Sequence, residues 1–160
     1  MYYSDMWHGT LVQILIAEAR SARPREVMEA EAVPGRGLAG DRYFNGTGTF
    51  CKPGEPDREL TLVAAESIED FLATSGVSLE AADLRRQLVT SGVPLNDLVG
   101  RDFQIGSVRI HGIRLCEPCE HLAALTIPGV LPALIHKAGL RAQVLTGGKI
   151  RPGDPIRPVI

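Results

Sequence analysis

The chain reads as a mainly β protein with short helices (α+β), folded as a mixed, partly closed β-barrel. Three observations lead there. Most apolar runs are short and rich in β-branched residues, as strands are. The helical patterns are few and brief, and strands and helices do not alternate in the βαβ order of a doubly wound sheet. At 160 residues the chain is expected to form one domain spanning 1–160. A chain this long buries roughly 70% of its extended surface, enough for a core without disulfide staples.

The elements follow in order. Residues 10–17 (TLVQILIA) read as a buried strand, and 26–33 (EVMEAEAV) alternate well enough for a second. Residues 34–56 are a long loop crowded with glycine and proline, of the kind that more often carries function than not. A strand is expected over 60–63. A helix follows over 64–74, with Ile68, Phe71 and Leu72 on its apolar face and Gly76 past its end. Residues 87–90 form a strand stopped at Ser91-Gly92, and a turn at Leu95-Asn96-Asp97 leads to 103–106. Residues 108–113 complete that hairpin. Short helices are expected over 121–125 and 130–138, split by Pro128-Gly129. Strands over 142–145 and 155–159 close the chain, with a turn at Gly147-Gly148.

Charge and composition exclude several classes. Seventeen Lys and Arg against 19 Asp and Glu leave a net charge of −2. That balance gives no footprint for nucleic acid and no polybasic membrane patch. The amino terminus lacks the basic and apolar regions of a signal peptide, and no apolar stretch is long enough to span a bilayer. Three cysteines without a secretion signal point to free thiols in a reducing cytoplasm.

The densest chemistry lies at Leu115-Cys116-Glu117-Pro118-Cys119-Glu120-His121-Leu122, directly after a strand. Pro118 fixes its own φ and biases Glu117 toward extended backbone, which places Cys119 at a strand-to-helix corner. Cys116 and Cys119 have C-x-x-C spacing but no thioredoxin-like βαβ context. Three readings stand. The thiols are small buried apolar residues. Cys116, Cys119 and His121 supply three ligands of a structural zinc site, with Cys51, His111 or His136 as the fourth. Or Cys119 is a nucleophile, a persulfide carrier or a ligand to a soft metal. Arg114 and His121 favour its thiolate, and Glu117 and Glu120 oppose it.

Two further constellations accompany it. In Gly35-Arg36-Gly37-Leu38-Ala39-Gly40-Asp41-Arg42-Tyr43 the glycines allow backbone N–H groups to turn toward an anion, with Arg42 supplying charge. The plain alternative is a turn capped by Asp41. In Leu84-Arg85-Arg86-Gln87-Leu88-Val89-Thr90-Ser91-Gly92, arginines enter a strand that ends in hydroxyls beside a glycine. Those groups either grip a phosphate or lie on a solvated face.

Taken in order, GLAGDRY at 37–43, RELTLVAAE at 58–66, RRQLVTSG at 85–92, CEPC at 116–119 and GGKIRPGD at 147–154 resemble the MOSC domain family. That family is named for the carboxy-terminal domain of molybdenum-cofactor sulfurases. The resemblance runs from Gly9 to Pro158, as in a stand-alone bacterial-type member. It implies a MOSC-type β-barrel and one key cysteine, Cys119, which either ligates molybdenum held by a pterin dithiolene or accepts sulfur as a persulfide. The pterin's terminal phosphate makes Asp41, Arg42, Arg86, Gln87, Thr90, Ser91 and Arg114 cofactor-grip candidates. Arg58, His136 and Arg141 are weaker ones. Many relatives have asparagine at the position of Gln87, and Cys116 is not shared across the family, so no catalytic role is assigned to it.

The implied cofactor is the molybdenum cofactor. The implied activity is reduction of an N-hydroxylated small molecule, or sulfur transfer. The partners are an electron-donor protein or a pyridoxal-phosphate-dependent cysteine desulfurase. The reading from another class is a small zinc-stabilised binding module using Cys116, Cys119 and His121.

Overall fold

The computed structural model describes residues 7–19, 22–41, 59–76, 86–116 and 139–159. The expected helices over 121–125 and 130–138 lie outside them. The described elements are β1 (Gly9–Ile16), β2 (Arg25–Val27), β3 (Ala30–Val33), β4 (Gly37–Leu38), β5 (Leu60–Ala64), α1 (Ala65–Ser75) and β6 (Leu88–Ser91). After these come a 3-10 turn (Leu95–Leu98), β7 (Asp102–Ile105), β8 (Val108–Leu115), β9 (Leu140–Thr146), β10 (Gly148–Ile150) and β11 (Pro155–Pro158).

The larger sheet runs β11-β7-β8-β9-β5-β6-β1-β2, and β11 also pairs with β1, so seven strands close into a barrel. Closure rests on Gly9 opposite Ile156 and Thr10 opposite Pro155. The expected mixed barrel is present, and it closes fully. Its mixed character comes from β5 and β6, which run parallel with α1 in the connection between them. The sequence reading saw no βαβ alternation, yet this single crossover is one, because parallel neighbours require such a connection.

Alternation along the strands builds the core. Leu60 and Leu62 of β5, Leu88 of β6, Phe103 and Ile105 of β7, Val108 and Ile110 of β8, and Leu140 and Ala142 of β9 all point inward. Full burial of a Leu, Ile or Phe stabilises by roughly 1.5–3 kcal/mol, so such a core holds without cross-links. In β1 the register shifts between Leu11 and Gln13. The extra residue lets Leu11 and Ile14, three apart, both face the core and turns Val12 outward.

The strand expected over 26–33 is two strands. β2 pairs with β1 in the barrel, whereas β3 joins β10 and β4 in a second sheet. The break at Met28-Glu29 lets one run serve two sheets, and Met28 is 70% exposed there. The small sheet sends Ala30, Ala32, Leu38 and Ile150 into the same core. Helix α1 ends as expected, with Gly76 in the left-handed conformation donating to the Leu72 carbonyl. Among its described side chains Phe71 is buried, while Leu72, assigned to the apolar face from spacing, is exposed.

Gly37 brings the small sheet against the backbone that enters β5. Its φ is +93°, and a Cβ there would lie 2.2 Å from the Glu59 carbonyl oxygen. Gly35 has φ +79° and open space around it. Gly37→Ala is therefore expected to destabilise by about 3 kcal/mol, combining left-handed strain with overpacking. Gly35→Ala should cost only about 1 kcal/mol from strain alone. Denaturant unfolding of the two variants side by side checks the difference.

Candidate functional site

A second bulge decides which side chains reach the outer face. Along β8, Val108, Ile110 and Gly112 face inward. The register with β9 then shifts between Gly112 and Arg114. Without that shift Arg114 would point into the core; with it, Leu115 packs inward and Arg114 lies outside. Arg114 stands directly across from Arg141 of β9, and Arg141 across from Thr61 of β5. Thr61 in turn meets Gln87, whose backbone N–H donates to the Thr61 hydroxyl at 3.1 Å. One cross-strand row on the outer face thus joins Arg114, Arg141, Thr61 and Gln87. The next row along β8 holds His111 opposite both Asp102 and Gln143. There His111 Nδ1 lies 2.7 Å from Asp102, and this contact, with Arg109 as the lesser cause, holds the Asp102 carboxyl below its ordinary value.

At the end of the first row, Asp41 and Gln87 are fully buried. Asp41 Oδ1 accepts from the Ala17 backbone N–H at 3.1 Å, and Oδ2 accepts from Gln87 Nε2 at 2.8 Å. Gln87 Oε1 accepts from the Thr61 N–H at 2.8 Å and from its hydroxyl at 3.3 Å. These two candidates therefore bond to each other, to β5 and to the end of β1. They brace the wall from which Arg86, itself nearly buried, emerges.

The glycine segment is also occupied internally. The N–H groups of Arg36, Ala39 and Asp41 donate to the carbonyls of Val33, Glu31 and Leu38, and that of Gly35 donates to Glu59 Oε1. The described part is thus a β3–β4 hairpin ending in a buried Asp41, with acceptors for the N–H groups of Gly35, Arg36, Ala39 and Asp41. Arg42 lies outside the described residues. Sequence reasoning missed Glu59. Its Oε1 also accepts from the Val144 N–H at 3.1 Å, tying hairpin to barrel. Burial raises the Glu59 carboxyl above its ordinary 4.5, partly offset by the Val144 and Gly35 bonds.

Thr90 and Ser91 do not join the arginine row. Thr90 sits opposite Leu11 and beside Ala64 on the inner face, fully buried, its hydroxyl without a hydrogen-bond partner among the described residues. Ser91 lies at the strand's end, where the Gly92 N–H donates to Glu66 of α1 at 2.7 Å.

Cys119, His121, His136 and Arg58 lie outside the described residues, but both roots of the segment 117–138 are described. Leu115 pairs with Leu140, and the Cys116 N–H donates to the Gly139 carbonyl at 2.7 Å. Cys116 itself is a free, buried thiol. Gly139 has φ +115°, and a Cβ there would lie 1.9 Å from the Leu62 carbonyl oxygen, so the returning chain presses onto β5 where only glycine fits. Cys119 is three residues from this clamp, a reach of about 10 Å. Among the described residues, no three His, Cys, Asp or Glu side chains gather as a metal site.

The chain belongs to the MOSC domain family, whose pattern it matches over residues 52–157. Its fold is similar to that of the YuaD protein from Bacillus subtilis, with TM-score 0.77 and 18% identity over 94% of this chain and 97% of that one. It is also similar to YiiM from Geobacillus stearothermophilus, with TM-score 0.74 and 18% identity over 95% of this chain and 75% of that one. YiiM from Escherichia coli aligns with TM-score 0.66 and 20% identity, over 94% and 70% of the two chains. A sequence search among curated proteins finds no match. No described helix is long and apolar enough to cross a membrane.

Gln87→Ala would take the Nε2 donor from buried Asp41 and the acceptor from the buried Thr61 N–H, and is expected to cost about 3–5 kcal/mol. Gln87→Asn should lose less where the shorter amide still reaches Asp41. Chemical denaturation ranks the two. Glu59 gives a pH test. Because its folded pKa is raised, its contribution is fully present below the unfolded pKa and is lost as pH rises through the folded one. Glu59→Gln should therefore gain on the wild type as pH rises from 4.5 toward neutrality, read from denaturation midpoints across that range.

Proposed function

We propose that this MOSC protein binds the molybdenum cofactor, with Cys119 as its soft thiolate ligand. One observation carries the reading: the Cys116–Gly139 hydrogen bond roots the cysteine segment immediately beyond the Arg114–Arg141 pair. Like charges directly across a strand pair repel, so a dianionic phosphate suits that placement. The residues present thus fit a ligand with an anionic end and a sulfur-seeking metal.

In this reading Arg114 and Arg141 hold the terminal phosphate, with Arg86 as a further cation. Asp41 and Gln87 keep the wall rigid rather than touching the ligand. Cys119 supplies a thiolate, the form that binds soft metals. When bound, the cofactor supplies oxygen-atom transfer between substrate and metal, and the protein supplies binding, orientation and electrostatics. In the reductive form the electrons come from a donor protein. The same thiolate, carrying sulfane sulfur from a cysteine desulfurase, gives the sulfur-transfer form of this function.

Elemental analysis of protein from a molybdenum-replete, pterin-competent host tests the reading. Near-stoichiometric molybdenum is expected in the wild type and none in Cys119→Ser. Cys116→Ser should keep its molybdenum while losing about 1–3 kcal/mol of stability, since it buries a hydroxyl in place of a thiol. Arg114→Glu should lower cofactor retention about tenfold, the worth of a charge-assisted bond. Zinc in the wild type, lost only when Cys116 and Cys119 are both replaced, would overturn the reading in favour of the structural module. With no metal at all, persulfide on Cys119 after incubation with a desulfurase would support the carrier form.

A further inference from the structure

A second polar row lies beside the arginine row on the outer face. It consists of Asp102 of β7, His111 of β8 and Gln143 of β9, each across from the next. Both Asp102 oxygens are engaged. Oδ2 accepts from Arg109 Nε at 3.1 Å and Nη2 at 2.9 Å, and Oδ1 lies 2.7 Å from His111 Nδ1. An ionised carboxylate only accepts, so Nδ1 carries the proton and donates it. That bond fixes the tautomer of the ring and leaves Nε2 for a ligand. Nε2 makes no hydrogen bond among the described residues, and the side chain is 32% exposed, so solutes can reach it.

The register sets Nε2 beside the arginines. Arg141 lies two residues from Gln143 on the same face of β9, diagonally from His111. Diagonal neighbours on a sheet are about 7–8 Å apart, within reach of long side chains. An anion held by Arg114 and Arg141 therefore has His111 at its flank, on the side away from the Cys116–Gly139 root. The charged groups around the ring are Asp102 from β7, Arg109 and Arg114 from β8 itself, and Arg141 from β9. Beyond Gln143, the Glu59 carboxylate is bonded to the Val144 and Gly35 N–H groups. A neutral ring turns the Nε2 lone pair toward an anion, whereas a protonated ring donates from the same atom. Histidine is the side chain that gains this proton within about pH 5–8.

We infer that His111 is a proton-dependent third cation of the anion site formed by Arg114 and Arg141, with Asp102 as its positioning residue. A dianionic phosphate or sulfate group is then held most tightly when His111 is protonated. The inference rests on the reading of the arginine row as a phosphate site and adds a regulation to it. A phosphate monoester becomes dianionic above about pH 6, so its grip is strongest inside the histidine range rather than at either end.

The test titrates sulfate, which stays dianionic, and methyl phosphate into the full chain at constant ionic strength, from about pH 5.5 to 8. Binding is read from the amide NMR signals of Arg141 and Gln143. Sulfate is expected to bind about tenfold more weakly at the upper end, the effect of losing one charge-assisted bond. Methyl phosphate should bind best in the middle of the range, where dianion and imidazolium coexist. His111→Gln keeps an N–H donor without the charge and should flatten the sulfate profile to within about twofold. Asp102→Asn removes the charge beside Nδ1 and should move the sulfate profile to lower pH, which also serves if the glutamine variant folds poorly. Sulfate binding equally well across the range, or a slope that His111→Gln leaves as in the wild type, would overturn the inference. That outcome in a protein that retains molybdenum sinks the inference alone. A His111-dependent profile in a protein that never holds molybdenum sinks the cofactor reading alone.

Discussion

A carboxylate removed from water must be given donors or give up its charge, and that constraint organises this molecule around Asp41. Its two oxygens draw one donor from the end of β1 and one from Gln87. Gln87 can serve only if its own carbonyl is satisfied, which Thr61 of β5 does twice. Four segments far apart in sequence are thereby fixed at one point. The parallel β5–β6 pair is held in register at that point, and the outer row of polar side chains starts from it. Removing Gln87 takes a donor from Asp41 and an acceptor from Thr61 together, so the network acts as a unit.

The two bulges do the complementary work on the apolar side. Strand alternation is strict, so one inserted residue exchanges the faces of everything beyond it. In β1 the exchange keeps both Leu11 and Ile14 in the core. In β8 it keeps Leu115 in the core and delivers Arg114 to the outer face, just before the cysteine segment. Gly139 completes the geometry, because the chain returning from that segment lies against the β5 backbone. The arginine row and the Gly139 clamp then occupy neighbouring parts of one barrel wall.

The sequence by itself determined much of this. Short β-branched runs separated by turns specified the strands, since a strand with one buried face must alternate. The ordered motifs from GLAGDRY to GGKIRPGD specified the family. The cysteine pair after β8 was legible because reactive residues seldom cluster in so few positions. Other features were decided only by tertiary structure, because they depend on partners distant in the chain. Nothing local announces that Gln87 would turn to Asp41 and Thr61, or that Glu59 would accept from the Gly35 N–H of the glycine hairpin. The division of residues 26–33 between two sheets, the parallel crossover and the face assigned to Arg114 arise from register. Register is a property of pairs of strands, and a single strand's sequence does not contain it.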